Sequence, residues 1–492
     1  MTGFGTSRSS TPGPRAPRMP PTRPIPRSRK GFSMRFIKNG LLLLAAACLA
    51  ASLSCGKDEQ EAQKFNRADE DTFKRDMSDL TSFKLSNGIT VYLQEERTDH
   101  QVAIEAIYRA GYTNDPKGEV QLAHLAEHLS MKCATGNMPA GESMDLVREH
   151  HGMISAEAVA DFIHIDYVVD AENLDETLGI EASRLREIRC DEDVLKAQKA
   201  EVLAEFDRTL ADPKSTLTRL SLMALAQVAY FGQTHIPIRA GVDKLTLDEV
   251  HRFHQAFYRP DDMILVLIGN FTKADAEALV RKHFESIPSR AGAPDPTFAI
   301  ARSMRVTWDL PASVIYLVSP GPFESFEERM ILSMFGAYFR QVLNNSQDAF
   351  GVCKAIACSN QVYSVGRLPF FIFAQPKEGF TNQNVLPILY AHLDQTVAAL
   401  NDKQVEMIKT SMTSFVTTSM LKANVPDYPL MHHQVIGQEG LNIGMKDMLR
   451  DGRSVDEFVG EIETITPDEF RAVIAKRVSR AALLNVSVEQ GR

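Results

Sequence analysis

His124 and His128 stand four residues apart with Glu127 between them, in the run Val120-Gln121-Leu122-Ala123-His124-Leu125-Ala126-Glu127-His128-Leu129. Leu122, Leu125, Ala126 and Leu129 recur at the spacing of one helical face, so the run is predicted helical. On a helix, positions i and i+4 lie on one side, one turn apart. Two imidazoles presented that way can share one Zn²⁺, at about 2.0–2.1 Å each. Glu127, one residue before the second histidine, turns its carboxylate to the same edge and is placed to take a proton from a metal-bound water. A catalytic zinc with two histidines commonly takes a glutamate as its third ligand. The predicted helix over 192–210 offers Glu201 and Glu205.

The H-x-x-E-H order is the reverse of the commoner H-E-x-x-H. It resembles the pitrilysin/insulinase family of zinc metallopeptidases, which includes the mitochondrial processing peptidases. In that family the third ligand is a Glu 77 residues after the second His, and that position here is Glu205. The resemblance implies one Zn²⁺ per chain on His124, His128 and Glu205, with Glu127 as the catalytic base of a metalloendopeptidase acting on peptides or unfolded polypeptides. It also implies an α+β fold of two homologous αβ sandwich domains, a duplicated unit with the metal site in the first.

The match has departures. Gln121 stands where the family often has Gly, and Ser155-Ala156 where it often has Asn-Ala at the edge strand that pairs with the substrate. A supporting Glu seven residues before the third ligand is Gln198 here, an amide that can hydrogen-bond but carries no charge. Glu201 reads as a solvated helix charge. In many members the second half supplies an Arg and, seven residues on, a Tyr that hold substrate and stabilise the oxyanion; by register those positions are Gln347 and Lys354. Some members work as heterodimers, so the expected partners are a peptide substrate and a second family subunit carrying Arg and Tyr. The rival reading is a non-catalytic peptide-binding or scaffolding subunit of an envelope complex. A purely structural zinc would normally close with four protein ligands, and Glu127 would have no purpose.

The elements that must position these residues follow in order. Phe83 to Leu93 reads as a hairpin turning at Asn87-Gly88. Val102 to Arg109 is a second strand, and Gly111 to Gly118 a loop into the metal helix. A short helix covers 144–150; Gly152 to Ala158 then leads to an alternating strand, Phe162 to Val169. Helices are predicted over 173–189 and 192–210, with Asp212-Pro213 ending the second. Thr246-Leu247-Asp248-Glu249 is a capping box; a buried strand at Met263 to Gly269 and a helix at 272–284 follow. The same order, capping box to strand, returns 220 residues later, from Thr466-Pro467-Asp468-Glu469 to Leu483–Val488. Residues 79–288 are therefore expected to form the zinc-bearing domain, 289–300 a linker and 301–492 a metal-free homologous domain. His150, His151, His432 and His433 read as surface or structural residues.

Residues 1–54 hold nine Lys and Arg and no acidic residue, leaving 45 basic against 63 acidic beyond them, a balance of −18. That acidity gives no reason to expect nucleic acid as a partner. Residues 1–33, rich in Pro, Arg, Ser and Thr, read as a disordered extension or too early a start. Met34 to Cys55 reads as a secretory signal: a basic stretch, an apolar run from Leu41 to Leu53, then Ser54-Cys55-Gly56. Cys55 resembles a lipidated lipoprotein cysteine, with 56–78 as its tether; the alternative is an ordinary signal peptide cut nearby. The expected location is the periplasm or outer membrane, lipid-anchored. Cys133, Cys190, Cys353 and Cys358 remain, with three pairings open.

Overall fold

The computed structural model describes residues 80–97, 100–212, 214–215, 217–292, 298–321, 323–358, 368–417 and 432–491. The signal segment, Cys55 and the tether lie outside the described residues, as do 293–297 of the predicted linker. Among the described residues no helix is long and apolar enough to cross a membrane.

Seven strands come from the first half: β1 (Thr81–Lys84), β2 (Thr90–Glu95), β3 (Gln101–Tyr108), β4 (Met153–Ala158), β5 (Ile163–Asp170), β6 (His235–Ile236) and β7 (Met263–Gly269). Five follow: β8 (Met304–Trp308), β9 (Val314–Val318), β10 (Cys353–Cys358), β11 (Phe371–Pro376) and β12 (Leu484–Gln490). They make two six-stranded sheets, ordered β1-β2-β7-β3-β5-β4 and β6-β8-β12-β9-β11-β10. From the second strand to the last, the two sheets have the same pairing senses. One parallel pair (β2 with β7, β8 with β12) is followed by three antiparallel ones. The fold is α+β, and the repeat read from the two capping boxes is a repeat of sheet topology. Both boxes form, Thr246 with Glu249 and Thr466 with Glu469.

The hairpin turns at Asn87-Gly88 with Gly88 at φ 103, and Phe83 pairs with Val91. Strands β6, β8, β9, β10 and β11 were not read from the sequence. Met153–Ala158, which carries Ser155-Ala156, is β4 and takes the sheet edge, while Ile163–Asp170 lies inside the sheet. Its Ser-Ala-Glu-Ala core is poor in β-branched residues, so pairing with β5, not propensity, makes it a strand.

The helices of the first half are α1 (Leu122–Lys132), α2 (Glu142–Glu149), α3 (Leu174–Arg186), α4 (Glu192–Ala211), α5 (Thr218–Phe231), α6 (Ile238–Lys244), α7 (Leu247–Phe257) and α8 (Lys273–Phe284). Those of the second are α9 (Phe326–Asn344), α10 (Gln347–Val352), α11 (Asn382–Ala398), α12 (Asp402–Thr417), α13 (His432–Arg450), α14 (Val455–Thr464) and α15 (Pro467–Arg477). Ile104, Ala106 and Tyr108 of β3 and Ile163, Ile165 and Tyr167 of β5 point into one core with α1.

The two halves exchange elements. Helix α5 buries eleven of its fourteen residues and is apolar on nearly every side, as a helix between two layers must be. It packs on the second sheet, where Tyr316 donates to Ser221 Oγ at 2.5 Å and the Leu217 amide to Gln375 Oε1 at 3.2 Å. Strand β6 borders that sheet too, paired with β8. In return α13 lies on the outer face of the first sheet. There Ile443, Met445 and Met448 meet Ala103, Ile107 and Val266, and Asp447 accepts from Tyr92 at 2.6 Å and from Arg109 at 3.1 Å. A Cβ at Gly440 would stand 3.1 Å from Glu105 Cβ, so a glycine suits the helix's close approach.

Candidate metal centre

Helix α1 turns Leu122, Leu125, Ala126 and Leu129 into the core at 0–1% exposure. That fixes its rotation and sends His124 and His128 to the opposite edge, with ring centroids 4.8 Å apart. Its first turn is capped by a buried carboxylate from the preceding loop. Asp115 accepts the amides of Ala123 at 2.7 Å and Gln121 at 2.9 Å, two donors that the helix itself leaves unsatisfied.

Helix α4 starts at the cap Asp191, whose side chain accepts from the Val194 amide, and carries Gln198 and Glu205 two turns apart on one face. Glu205 straddles the two histidines, Oε2 lying 3.3 Å from His124 Nε2 and Oε1 3.4 Å from His128 Nε2. The three side chains can bring one ligand atom each within 4.8 Å of one another. Glu201 faces away and pairs with Arg208 at 2.7 Å, as a solvated helix charge would.

The donor set fits a zinc ion. His124 Nδ1 lies 2.7 Å from Gln121 Oε1 and His128 Nδ1 3.2 Å from Gln198 Oε1. Carbonyl oxygens can only accept, so each Nδ1 carries its proton and each Nε2 is left for a metal. Glu127, 6% exposed, is held beside them. Burial lowers His124 below the usual imidazole range, with His128 and Arg219 acting the same way and Glu205 and Glu127 opposing. His128 is raised: burial pushes it down, but Glu205 and Glu127 outweigh that. Glu205 is held well below the usual carboxylate range: burial pushes it up, but the two imidazoles beside it outweigh that.

Two features escaped the sequence reading. Cys133, the C-cap of α1, is disulfide-bonded to Cys190, next to the N-cap of α4. The two helices that carry His124, His128 and Glu205 are thus covalently tied, beside the backbone pair Ala134–Arg189. The other is Arg219 at the start of α5, which pairs with Glu157 of β4 at 2.7 Å and adds positive charge next to the histidines. Spacing alone gave no signal for either.

A second group, Glu105, His164 and Asp166, sits on the outer face of the first sheet. His164 Nδ1 is 2.8 Å from Glu105 and 3.4 Å from Asp166, its Nε2 is 3.7 Å from Glu157, and Glu157 binds Arg219. The surrounding carboxylates raise His164 well above its usual range despite burial. His164 and Arg219 thus offset Asp166 and Glu157, while burial raises Glu105 to about 8.

His150 pairs with Glu176 at 2.9 Å, and His151 occupies a left-handed turn at φ 56. Of His432 and His433 only the backbone, the start of α13, is described. Gln347 opens α10, exposed, and Lys354 lies on β10, the last strand of the second sheet.

The zinc protease PqqE of Helicobacter pylori is 26% identical over 211 residues, 42% of this chain and 47% of that protein. The chain thus aligns with about half the length of that relative. A crystal structure of a protease from Helicobacter pylori superposes with a TM-score of 0.61 at 17% identity, covering 83% of this chain and 99% of that one. The periplasmic protease PqqL from Escherichia coli gives 0.56 at 15%, covering 84% and 48%. At such identities the structures share the fold. The sequence itself matches the model of the insulinase peptidases (family M16) over residues 90–234, which hold H-x-x-E-H and Glu205, and that of the M16 inactive domain over residues 244–412. Two M16 models match successive stretches of a chain whose sheet topology is duplicated, and the chain belongs to the insulinase family of M16 peptidases.

Proposed function

We propose that this chain is a zinc-dependent endopeptidase that hydrolyses peptides or unfolded polypeptides in the cell envelope. One observation carries the reading: His124, His128 and Glu205 converge with Glu127 buried beside them and outside the ligand set. A structural zinc would normally take four protein ligands; three converge here. Zinc held there would polarise a water and bring its pKa toward ~7. Glu127 would accept a proton from that water and later deliver it to the leaving amine. Strand β4 ends the first sheet, so a peptide can add to it through backbone hydrogen bonds, a mode tolerant of side-chain sequence.

The envelope location draws on the apolar run before Cys55 and on the Cys133–Cys190 disulfide, since disulfides persist in oxidising compartments. The relative PqqL is a periplasmic protease. Lipidation of Cys55 would hold the chain at a membrane.

A second reading has an observation of its own. By the family's register, Gln347 and Lys354 fall where many members carry Arg and Tyr. A partner subunit would then supply those groups, or the chain would bind peptides without cutting them. The test is hydrolysis of a quenched unstructured peptide by the zinc-loaded chain, alone and with a second family subunit carrying Arg and Tyr. Cleavage by the chain alone supports a self-sufficient peptidase. Cleavage only with the partner supports the heterodimer, and none in either case leaves the non-catalytic reading standing.

A further inference from the structure

Gln121 has a backbone that its residue type disfavours. At φ 76 and ψ 11 it lies in the left-handed region, immediately before the first residue of α1. It is one of three non-glycine residues with positive φ among the described residues; the others, His151 and Asp451, sit at exposed turns. A side chain with a Cβ is strained there, where glycine is not. Gln121 is fully buried as well, at 0% exposure, and its Nε2 has no hydrogen-bond partner. Burying an amide N–H without a partner is unfavourable in its own right. Backbone and side chain are both held in costly states at one position next to a functional site, and such strain persists where the surrounding structure over-determines it.

The contact that accompanies both costs is Gln121 Oε1 to His124 Nδ1 at 2.7 Å. The left-handed turn lets the side chain of the cap position reach the first histidine of its own helix, three residues on. We propose that Gln121 is a positioning residue for the metal site, holding His124 with Nδ1 protonated and Nε2 directed at the metal. Gln198 does the same for His128 from α4 at the longer distance of 3.2 Å, so both ligating imidazoles are oriented by neutral amides. Neither amide adds negative charge, and Glu205 is the one acidic ligand.

The inference rests on the zinc reading above, and its test separates the two. Zinc affinity is measured by competition with a chromophoric chelator, and melting temperature on the metal-free protein, for the full chain and three variants. Gln121→Gly relieves the backbone and removes the acceptor: its metal-free melting temperature stays at or above the wild type's, while zinc binds about 10–100-fold more weakly. Gln121→Leu keeps the strain and removes the acceptor, losing zinc affinity to a similar degree with no gain in melting temperature. Gln121→Glu keeps an acceptor for Nδ1 and holds zinc within a few-fold of the wild type. If zinc affinity instead follows melting temperature, with Gln121→Gly binding as tightly as the wild type, Gln121 is merely a strained structural residue and the proposal fails. A wild-type chain that binds no zinc overturns the metal site itself and this proposal with it.

Discussion

The Cys133–Cys190 disulfide offers the most quantitative test of how the ligand helices are held. It closes a loop of 57 residues that contains α2, β4, β5 and α3. In the chain-entropy picture, cross-linking a loop of that length removes about 4 kcal/mol of freedom from the unfolded chain at 25 °C. Replacing both cysteines by alanine should therefore lower unfolding stability by about 2–4 kcal/mol, the lower end applying where the unfolded chain stays compact. The folded geometry should survive, because Ala134 and Arg189 still exchange two backbone hydrogen bonds, at 3.1 and 2.8 Å. The assay is urea unfolding of metal-free wild type and Cys133→Ala/Cys190→Ala, compared at a common slope. A loss below about 1 kcal/mol would mean that the cross-link does not constrain the unfolded chain, and the reasoning would be wrong. Zinc affinity should fall as well, since the bond joins the end of α1 to the start of α4.

Two further outcomes follow from buried polar groups of the same half. His254 is fully buried, with its Nε2 donating to the Arg184 carbonyl at 2.9 Å, and burial lowers its pKa from 6.5 to about 3. The unfolded chain then binds the extra proton first, so stability is complete above pH 6.5 and declines as pH falls toward 3, by up to about 1.4 kcal/mol per unit from this group. His254→Gln should flatten that decline in unfolding measurements between pH 7 and 5; an unchanged slope would contradict the assignment. Arg184 and Glu181 form an ion pair with both side chains at 0% exposure, joined by Tyr108 and Tyr167, and Arg184 Nε donates to the Ser130 carbonyl of α1 at 2.9 Å. Arg184→Met should cost about 3–5 kcal/mol by stranding Glu181, and Glu181→Gln in the same chain should recover most of it; if the double variant is no more stable than the single, buried charge is not the cause.

The centre was legible where chemistry and period coincide. The apolar spacing of Leu122, Leu125, Ala126 and Leu129 set which face of α1 is buried, and hence that His124 and His128 share an edge. Glu205 was reachable only through the family's spacing, because on residue type alone Glu201 was its equal; the structure turns Glu201 to Arg208. The repeat was visible as two capping boxes, since a box is a local signal, but the exchange of α5 and α13 between sheets is a tertiary fact. The run Leu220-Ser221-Leu222-Met223-Ala224-Leu225-Ala226 held a hint of it, being apolar with no polar face. Strand β4 was legible only through the family's edge strand, because the local propensity of Ser-Ala-Glu-Ala is weak and pairing with β5 makes it a strand. The left-handed backbone of Gln121 was hidden because residue type predicts positive φ well only for glycine and asparagine.

The deciding measurement is zinc stoichiometry and peptide hydrolysis on the same preparations of wild type, Glu127→Gln and Glu205→Gln, with any partner subunit that cleavage requires. The predicted result is one tightly bound zinc in wild type and in Glu127→Gln, hydrolysis by the wild type alone, and much weaker zinc binding in Glu205→Gln. Zinc lost with Glu127→Gln, or hydrolysis that persists in it, would contradict the roles assigned to these four residues.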